Sequence, residues 1–344
     1  RSAHSDNKDN SDWGALTFLV STMTFIHEIK NIVKSVGLGD LSFFTIPHDK
    51  LEFNPMKHDN ITFIVKGQMH GTVKIVHGRY ELEHATIVSK IFLTDESMVS
   101  KVSITPVFSE NGLTVTIEGP RQFTRARYDT EIAFPKKLTD LSSLKLEVID
   151  ATIEIGEMNN LFIDKVDITN TNGTIDAKLL KSSKTHINAT NGPIAGSYQP
   201  TTEFIAATSN GSIESTVSPA MQPLLTELST TNGHIKGFYR LAKKFEAKTT
   251  NGSISIQGHI KNEENIDVDI GSTNGSVGLI LPRVYKGRFQ LETMWGPTSV
   301  NELLDVKLET NTRSTKIGVK GDDLRKGNIR LGTVNGGAKL EFKI

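Results

Sequence analysis

Cysteine is absent from the 344 residues, which removes disulfide staples, thiolate nucleophiles, zinc knuckles and iron–sulfur ligation together. A surplus of either charge is missing too, since Lys+Arg and Asp+Glu both number 39. A dedicated nucleic-acid binder needs a basic excess and a solvating chain an acidic one, so the balance argues against both. A bilayer-spanning run is also lacking. Residues 13–27 carry no formal charge, but they fall short of the ~20 apolar positions that cross a membrane, so membrane insertion is not expected. Catalytic motifs are broken wherever they begin. Gly37-Leu38-Gly39 has no third glycine, Asn31 stands where His27-Glu28 would need a second histidine, and Ser142-Ser143-Leu144-Lys145 reads as a strand. No motif calls for a cofactor or a metal, and no catalytic residue is assigned. The chain does not open on Met, which reads as a removed leader or a defined fragment.

What the sequence has is turns and a repeat. Gly numbers 28, and one short pattern recurs as Thr171-Asn172-Gly173-Thr174-Ile175, Thr190-Asn191-Gly192-Pro193-Ile194 and Ser209-Asn210-Gly211-Ser212-Ile213. It continues as Thr231-Asn232-Gly233-His234-Ile235, Thr250-Asn251-Gly252-Ser253-Ile254 and Thr273-Asn274-Gly275-Ser276-Val277. The asparagines lie 19, 19, 22, 19 and 23 residues apart. A looser copy precedes them at Asp150 to Ile153, and degenerate copies follow at Gly296 to Val300, Thr310 to Ile317 and Val334 to Leu340. Asn-Gly is a strong turn signal because both residues tolerate positive φ. Apolar residues three after and four before each Asn keep the period of two expected when they face inward on strands. Each unit is then strand, corner, strand, connector.

Two architectures suit such a unit: stacked coils of ~20 residues forming a parallel β-solenoid, or antiparallel hairpins in a sandwich. The first is preferred. Parallel stacking would set successive asparagines about 4.8 Å apart, close enough for their amides to form a ladder. Asn172, Asn191, Asn210, Asn232, Asn251 and Asn274 are the expected ladder residues, with a structural role before any other.

The expected organisation has three parts. Residues 149–344 form the repeats. Residues 41–148, rich in short β-branched runs, form a β-sandwich-like cap over the exposed end. Residues 1–40 hold a polar leader and one N-terminal α-helix at 12–36, with Asp12 as N-cap and Gly37 as C′ residue. Trp13, Leu16, Leu19, Met23, Ile26 and Ile29 recur on this helix at helical spacing and are candidates for docking into a neighbouring subunit. His48, His58, His70, His77 and His84 fall in the cap, where the spacing of seven from His70 to His77 to His84 alternates strand faces and argues against a shared metal among those three. Sequons occur at six asparagines; Asn60 and Asn188, outside the ladder, are the glycosylation candidates.

These Thr-Asn-Gly-x-Ile units, entered through Ile132-Ala133-Phe134-Pro135-Lys136-Lys137 and Ala151-Thr152-Ile153-Glu154-Ile155, resemble the adhesin-like repeat family of bacteria and fungi over about residues 100 to 344. The resemblance implies a β-solenoid at or outside the cell surface, and no catalytic residues. The expected function is therefore a non-enzymatic, adhesin-like surface protein that assembles with copies of itself into a filament or layer. Cell-surface glycans are a further expected partner. The alternative is a carbohydrate-binding or polysaccharide-degrading protein, which would need carboxylates converging on one groove.

Overall fold

Alternation of apolar and polar residues decides the local structure. In Ile254–His259 every second residue is buried and the intervening ones face solvent, the signature of a strand with one face on a core. The computed structural model describes residues 35–38, 41–47, 50–79, 82–121, 126–218, 220–261, 264–301, 303–322 and 327–343. The fold is all-β, with the described strands joined in one 25-stranded mixed sheet. Its one helical stretch among the described residues is a 3-10 turn, Glu96–Lys101.

Successive repeats pair in parallel and in register. Ile153 faces Ile175, which faces Ile194, and the column continues through Ile213, Ile235, Ile254 and Val277. A second column runs through Ile168, Ile187, Ala206, Leu228, Ala247 and Ile270. Both columns are buried, and each large aliphatic side chain so placed contributes about 1.5–3 kcal/mol. Aromatic residues fill the remaining core: Tyr198 packs on Phe204 at 4.7 Å, Tyr239 on Phe245 at 5.4 Å and Tyr285 on Phe342 at 5.8 Å.

The corners require glycine for a reason other than the one read from sequence. Of the corner glycines only Gly173 has positive φ, at +103°. The rest are fixed by proximity. A Cβ on Gly192, Gly211, Gly233, Gly252 or Gly275 would lie 1.8–2.0 Å from the carbonyl oxygen of the preceding corner glycine. Gly336 and Gly296 extend the same column. Successive coils touch backbone to backbone here, and only hydrogen fits between them.

Both ends depart from chain order. After the coil containing Val277–Pro282 the chain skips a level, forms Gly287–Thr293 and Thr298–Val300, and turns through Val306–Asn311 and Thr315–Lys320. It then returns to fill the skipped level with Gly327–Thr333 and Ala338–Lys343. The expected copy at Thr310 to Ile317 is therefore an antiparallel hairpin and not a coil. The other end mirrors this. Asn60–Lys66 and Met69–Arg79 lie between Gly112–Glu118 with Ala126–Pro135 on one side and the long strand Asp140–Asn172 on the other, all in parallel. The expected sandwich-like cap is thus corrected. Its main strands continue the stack, and antiparallel strands Ala85–Leu93 and Ser103–Phe108 follow, the first carrying Leu41–Pro47 and Leu51–Phe53 on its far edge. These inserted strands interrupt the spacing, which hides the cap coils from a search for a fixed period.

The six assembly candidates from Trp13 to Ile29 lie outside the described residues. The end of the expected helix does not: Ser35–Leu38 is a strand antiparallel to Leu41–Pro47, so Val36 is not helical and Gly37 faces Ser42 instead of capping a helix.

The glycine column gives a sharp expectation. Gly233→Ala places a methyl 1.9 Å from the Gly211 oxygen and should cost more than about 4 kcal/mol in urea unfolding. Gly332→Ala, with nothing within 4 Å, should change stability by no more than ~0.5 kcal/mol.

Candidate functional site

The corner Asn precedes a glycine that cannot carry a side chain, so its own side chain is turned outward, one level above the next. The amides form a continuous chain. Nδ2 of Asn191 donates to Oδ1 of Asn172, and the pattern repeats from Asn210 to Asn191, Asn232 to Asn210, Asn251 to Asn232 and Asn274 to Asn251, at 2.7–2.8 Å throughout. A seventh member, Asn335, donates to Asn274 at 2.7 Å. Sequence reasoning left it out because 61 residues separate the two. The local signal, another Asn-Gly, was present.

Two residues before five of the seven ladder asparagines, a hydroxyl on the inner side secures the glycine carbonyl of the level below. Thr208, Thr230, Thr249, Ser272 and Thr333 donate to Gly192, Gly211, Gly233, Gly252 and Gly275 at 2.7–3.0 Å. Ala189 occupies this position in one coil and has no hydroxyl. Asn170 compensates from below, its Nδ2 reaching both Ala151 O at 2.7 Å and Gly173 O at 3.3 Å. Each column therefore satisfies a carbonyl that would otherwise be buried without a partner.

The column ends on a different chemistry. Met294 and Trp295 take the places held below by Thr and Asn, with Trp295 N–H still donating to Val334 O at 3.0 Å. They are 64% and 73% exposed. Val284 and Leu304 stand exposed in the segments flanking that end, and Met56, Val107 and Phe108 in the N-terminal cap. Seven of the ten exposed large apolar side chains among the described residues thus belong to the terminal parts of the stack. Lys320 braces the C-terminal end. Its buried Nζ donates to Asp305 Oδ2 and Arg283 O, both at 2.6 Å, and lies 5.3 Å from the Phe342 ring. This hydrogen bond holds the Asp305 carboxyl below its ordinary range.

Two shallow hollows mark the outer faces. One, of about 780 Å³, lies where Gly271 and Gly332 meet in register and leave a gap between Lys248 and Glu292. The other, of about 510 Å³, crosses the cap. There Lys74 stands in register between Glu154 and Glu131, Lys90 faces Asp129, and Arg127 forks onto Asp129 at 3.0 Å. Several carboxylates along the repeats are paired on the surface: Asp269 with Lys248 at 2.7 Å, Asp167 with Lys165 at 2.7 Å, Asp267 with Arg330 at 3.5 Å. Burial pushes the phenols of Tyr128, Tyr198, Tyr239 and Tyr285 upward, which suits packing and not proton transfer. No group of three His, Asp or Glu among the described residues is placed to hold a metal. No helix there is long and apolar enough to cross a membrane.

The two glycosylation candidates differ. Asn60 is committed, its Nδ2 donating to Asp59 Oδ1 at 2.9 Å and Asn111 O at 3.1 Å while its Oδ1 accepts from Ser143. Asn188 is exposed on the strand Ile175–Asn191.

No family model matches the sequence, and no curated protein matches it. Among solved structures it is similar to a "putative adhesin" from Parabacteroides distasonis, at 12% identity and a TM-score of 0.41, over 88% of this chain and 98% of that one. A "putative adhesin" from Bacteroides fragilis is similar at 14% identity and a TM-score of 0.35, over 87% and 97%. A "putative lipid binding protein" from Parabacteroides distasonis is similar at 12% and 0.29, over 86% and 96%. At these scores none of them bears on what the chain does.

The ladder can be tested against a residue of equal chemistry. Asn232→Ala removes two side-chain hydrogen bonds from an exposed site and should cost about 1–2 kcal/mol. Asn188→Ala should leave thermal stability within ~0.5 kcal/mol of the parent.

Proposed function

We propose that the protein is a non-enzymatic, adhesin-like structural protein, a parallel β-solenoid that works at or outside the cell surface and assembles end to end with copies of itself. The observation that carries this reading is the placement of its exposed apolar side chains. Met294, Trp295 and Leu304 belong to one end and Val107 and Phe108 to the other, where a stacked copy would cover them. Two unlike ends meeting make a heterologous contact, which propagates as a filament and does not close. Residues 1–34 are part of the proposal as a segment that reaches the neighbouring copy.

The test is electron microscopy with sedimentation of the full chain over a range of concentrations. The parent is expected to form linear polymers. Met294→Ser, Trp295→Ser and Leu304→Ser combined should reduce it to monomers with unchanged circular dichroism, and removal of residues 1–34 should do the same. Polymers that survive the triple substitution would rule out these side chains as the contact. A parent that stays monomeric throughout would remove self-assembly from the proposal.

A second reading, as a glycan-binding or glycan-cleaving protein, is favoured by the cap hollow, where Asp129, Glu131 and Glu154 share one depression with Lys74, Lys90 and Arg127. Carboxylates with cations beside them are what saccharide chemistry requires. Screening the parent and Glu131→Gln against charged and neutral polysaccharides separates the two readings. The structural reading expects no chain shortening by either protein. Cleavage by the parent that Glu131→Gln abolishes would replace it with the second.

A further inference from the structure

The chain contains eight Asn-Gly pairs, the seven of the ladder and Asn111-Gly112. Asn-Gly is the dipeptide most open to one spontaneous reaction, because glycine leaves the following backbone nitrogen unhindered. That nitrogen attacks the asparagine Cγ, the Cγ–Nδ2 bond breaks, and ammonia leaves from a cyclic imide. Water then opens the ring at one carbonyl to give aspartate, or at the other to give isoaspartate. Nothing beyond water is consumed.

Exposure does not separate the eight sites. Asn111 is exposed at the tip of the hairpin joining Ser103–Phe108 to Gly112–Glu118, and six of the seven ladder asparagines are equally open to solvent. Hydrogen bonding does separate them. From Asn191 to Asn274 each ladder amide donates through Nδ2 to the level below and accepts through Oδ1 from the level above. The leaving nitrogen and the carbonyl that must rotate towards the backbone are both held. At the lower end Asn172 only accepts, but the nitrogen that would attack it, Gly173 N, donates to Asn191 O at 3.1 Å. Asn335 at the upper end keeps its leaving nitrogen bound to Asn274. The Asn111 side chain makes no such bond with any described residue. Only its backbone oxygen is engaged, by Asn60 N–H and Asn60 Nδ2, each at 3.1 Å.

We propose that Asn111 is the chain's site of spontaneous deamidation, and that the amide ladder withholds the other seven Asn-Gly pairs from the same reaction. Isoaspartate at Asn111 adds a methylene to the backbone and moves the oxygen that Asn60 holds, so the modification loosens the join between Gly112–Glu118 and Asn60–Lys66.

Peptide mapping by mass spectrometry, on the folded full chain kept at mildly alkaline pH and on the same chain in urea, reads all eight sites. In urea the eight should convert at similar rates. In the folded chain Asn111 should convert on the order of tenfold to a hundredfold faster than Asn191, Asn210, Asn232, Asn251 and Asn274, the ratio expected from two net hydrogen bonds held per amide. Asn210→Ala then isolates the cause. It frees Nδ2 of Asn232 and Oδ1 of Asn191 while leaving Asn251 and Asn274 bonded, so only Asn191 and Asn232 should speed up. Equal rates at Asn111 and the ladder in the folded chain would overturn the proposal. Unchanged rates at Asn191 and Asn232 in the variant would overturn the ladder as the protecting element.

Discussion

The structure depends on how closely successive corners approach. Parallel strands lie about 4.8 Å apart, and at the corner that spacing brings each glycine Cα under the carbonyl of its neighbour. A methyl there would sit 1.8–2.0 Å from oxygen along most of the column, well inside contact distance. The rest of the corner follows. Glycine is obligatory, the residue before it must turn outward, and an outward side chain repeated at strand spacing meets its own kind. Asparagine suits that place because one amide both donates and accepts, so a column of any length leaves unpaired groups only at its ends. The hydroxyls two residues earlier complete the corner from inside by securing the glycine carbonyls.

That chain of causes explains what could be read from the amino acids. The six regular corners announce themselves by spacing, and the apolar residues at three after and four before each Asn identify the buried columns. The reason for glycine was misjudged, because Asn-Gly also favours positive φ in hairpins and only coordinates distinguish the two demands. Asn335 and the Gly296 corner were harder for a different reason. Coil order equals chain order in the middle of the stack and fails at both ends, where a level is skipped and filled later. Nothing local in Val334-Asn335-Gly336 says that its level lies between those of Asn274 and Trp295. Loop closure over 61 residues adds little entropic penalty beyond that of a short loop, so tertiary packing is free to choose the distant partner.

The cap illustrates the same limit. Asn60–Lys66 and Met69–Arg79 form a coil turned at Gly67, whose φ is +94°, and they stack in register on Asp140–Asn172. Neither the Asn-Gly signature nor the spacing survives there, although the corner joins positive φ to close approach: a Cβ on Gly67 would lie 2.6 Å from the Gly119 oxygen. One stack thus turns at glycine with and without a preceding Asn, and only the Asn-Gly corner repeats in sequence.

How the stack stops bears on how it would meet a second copy. A parallel stack that simply ended would offer open strand edges, and addition of any chain would follow. Here two of the outermost strands run antiparallel and are blunted. Ser103–Phe108 carries Pro106, which has no N–H to offer, and Val306–Asn311 shifts register between Leu308 and Thr310. Both devices weaken pairing by backbone. What the ends present instead is side chain: Trp295 and Met294 above the ladder, Val107 and Phe108 at the cap. Blunted strands beside exposed apolar side chains favour a partner of matching shape over an arbitrary strand, and under the proposed assembly a second copy of the same stack would supply that shape.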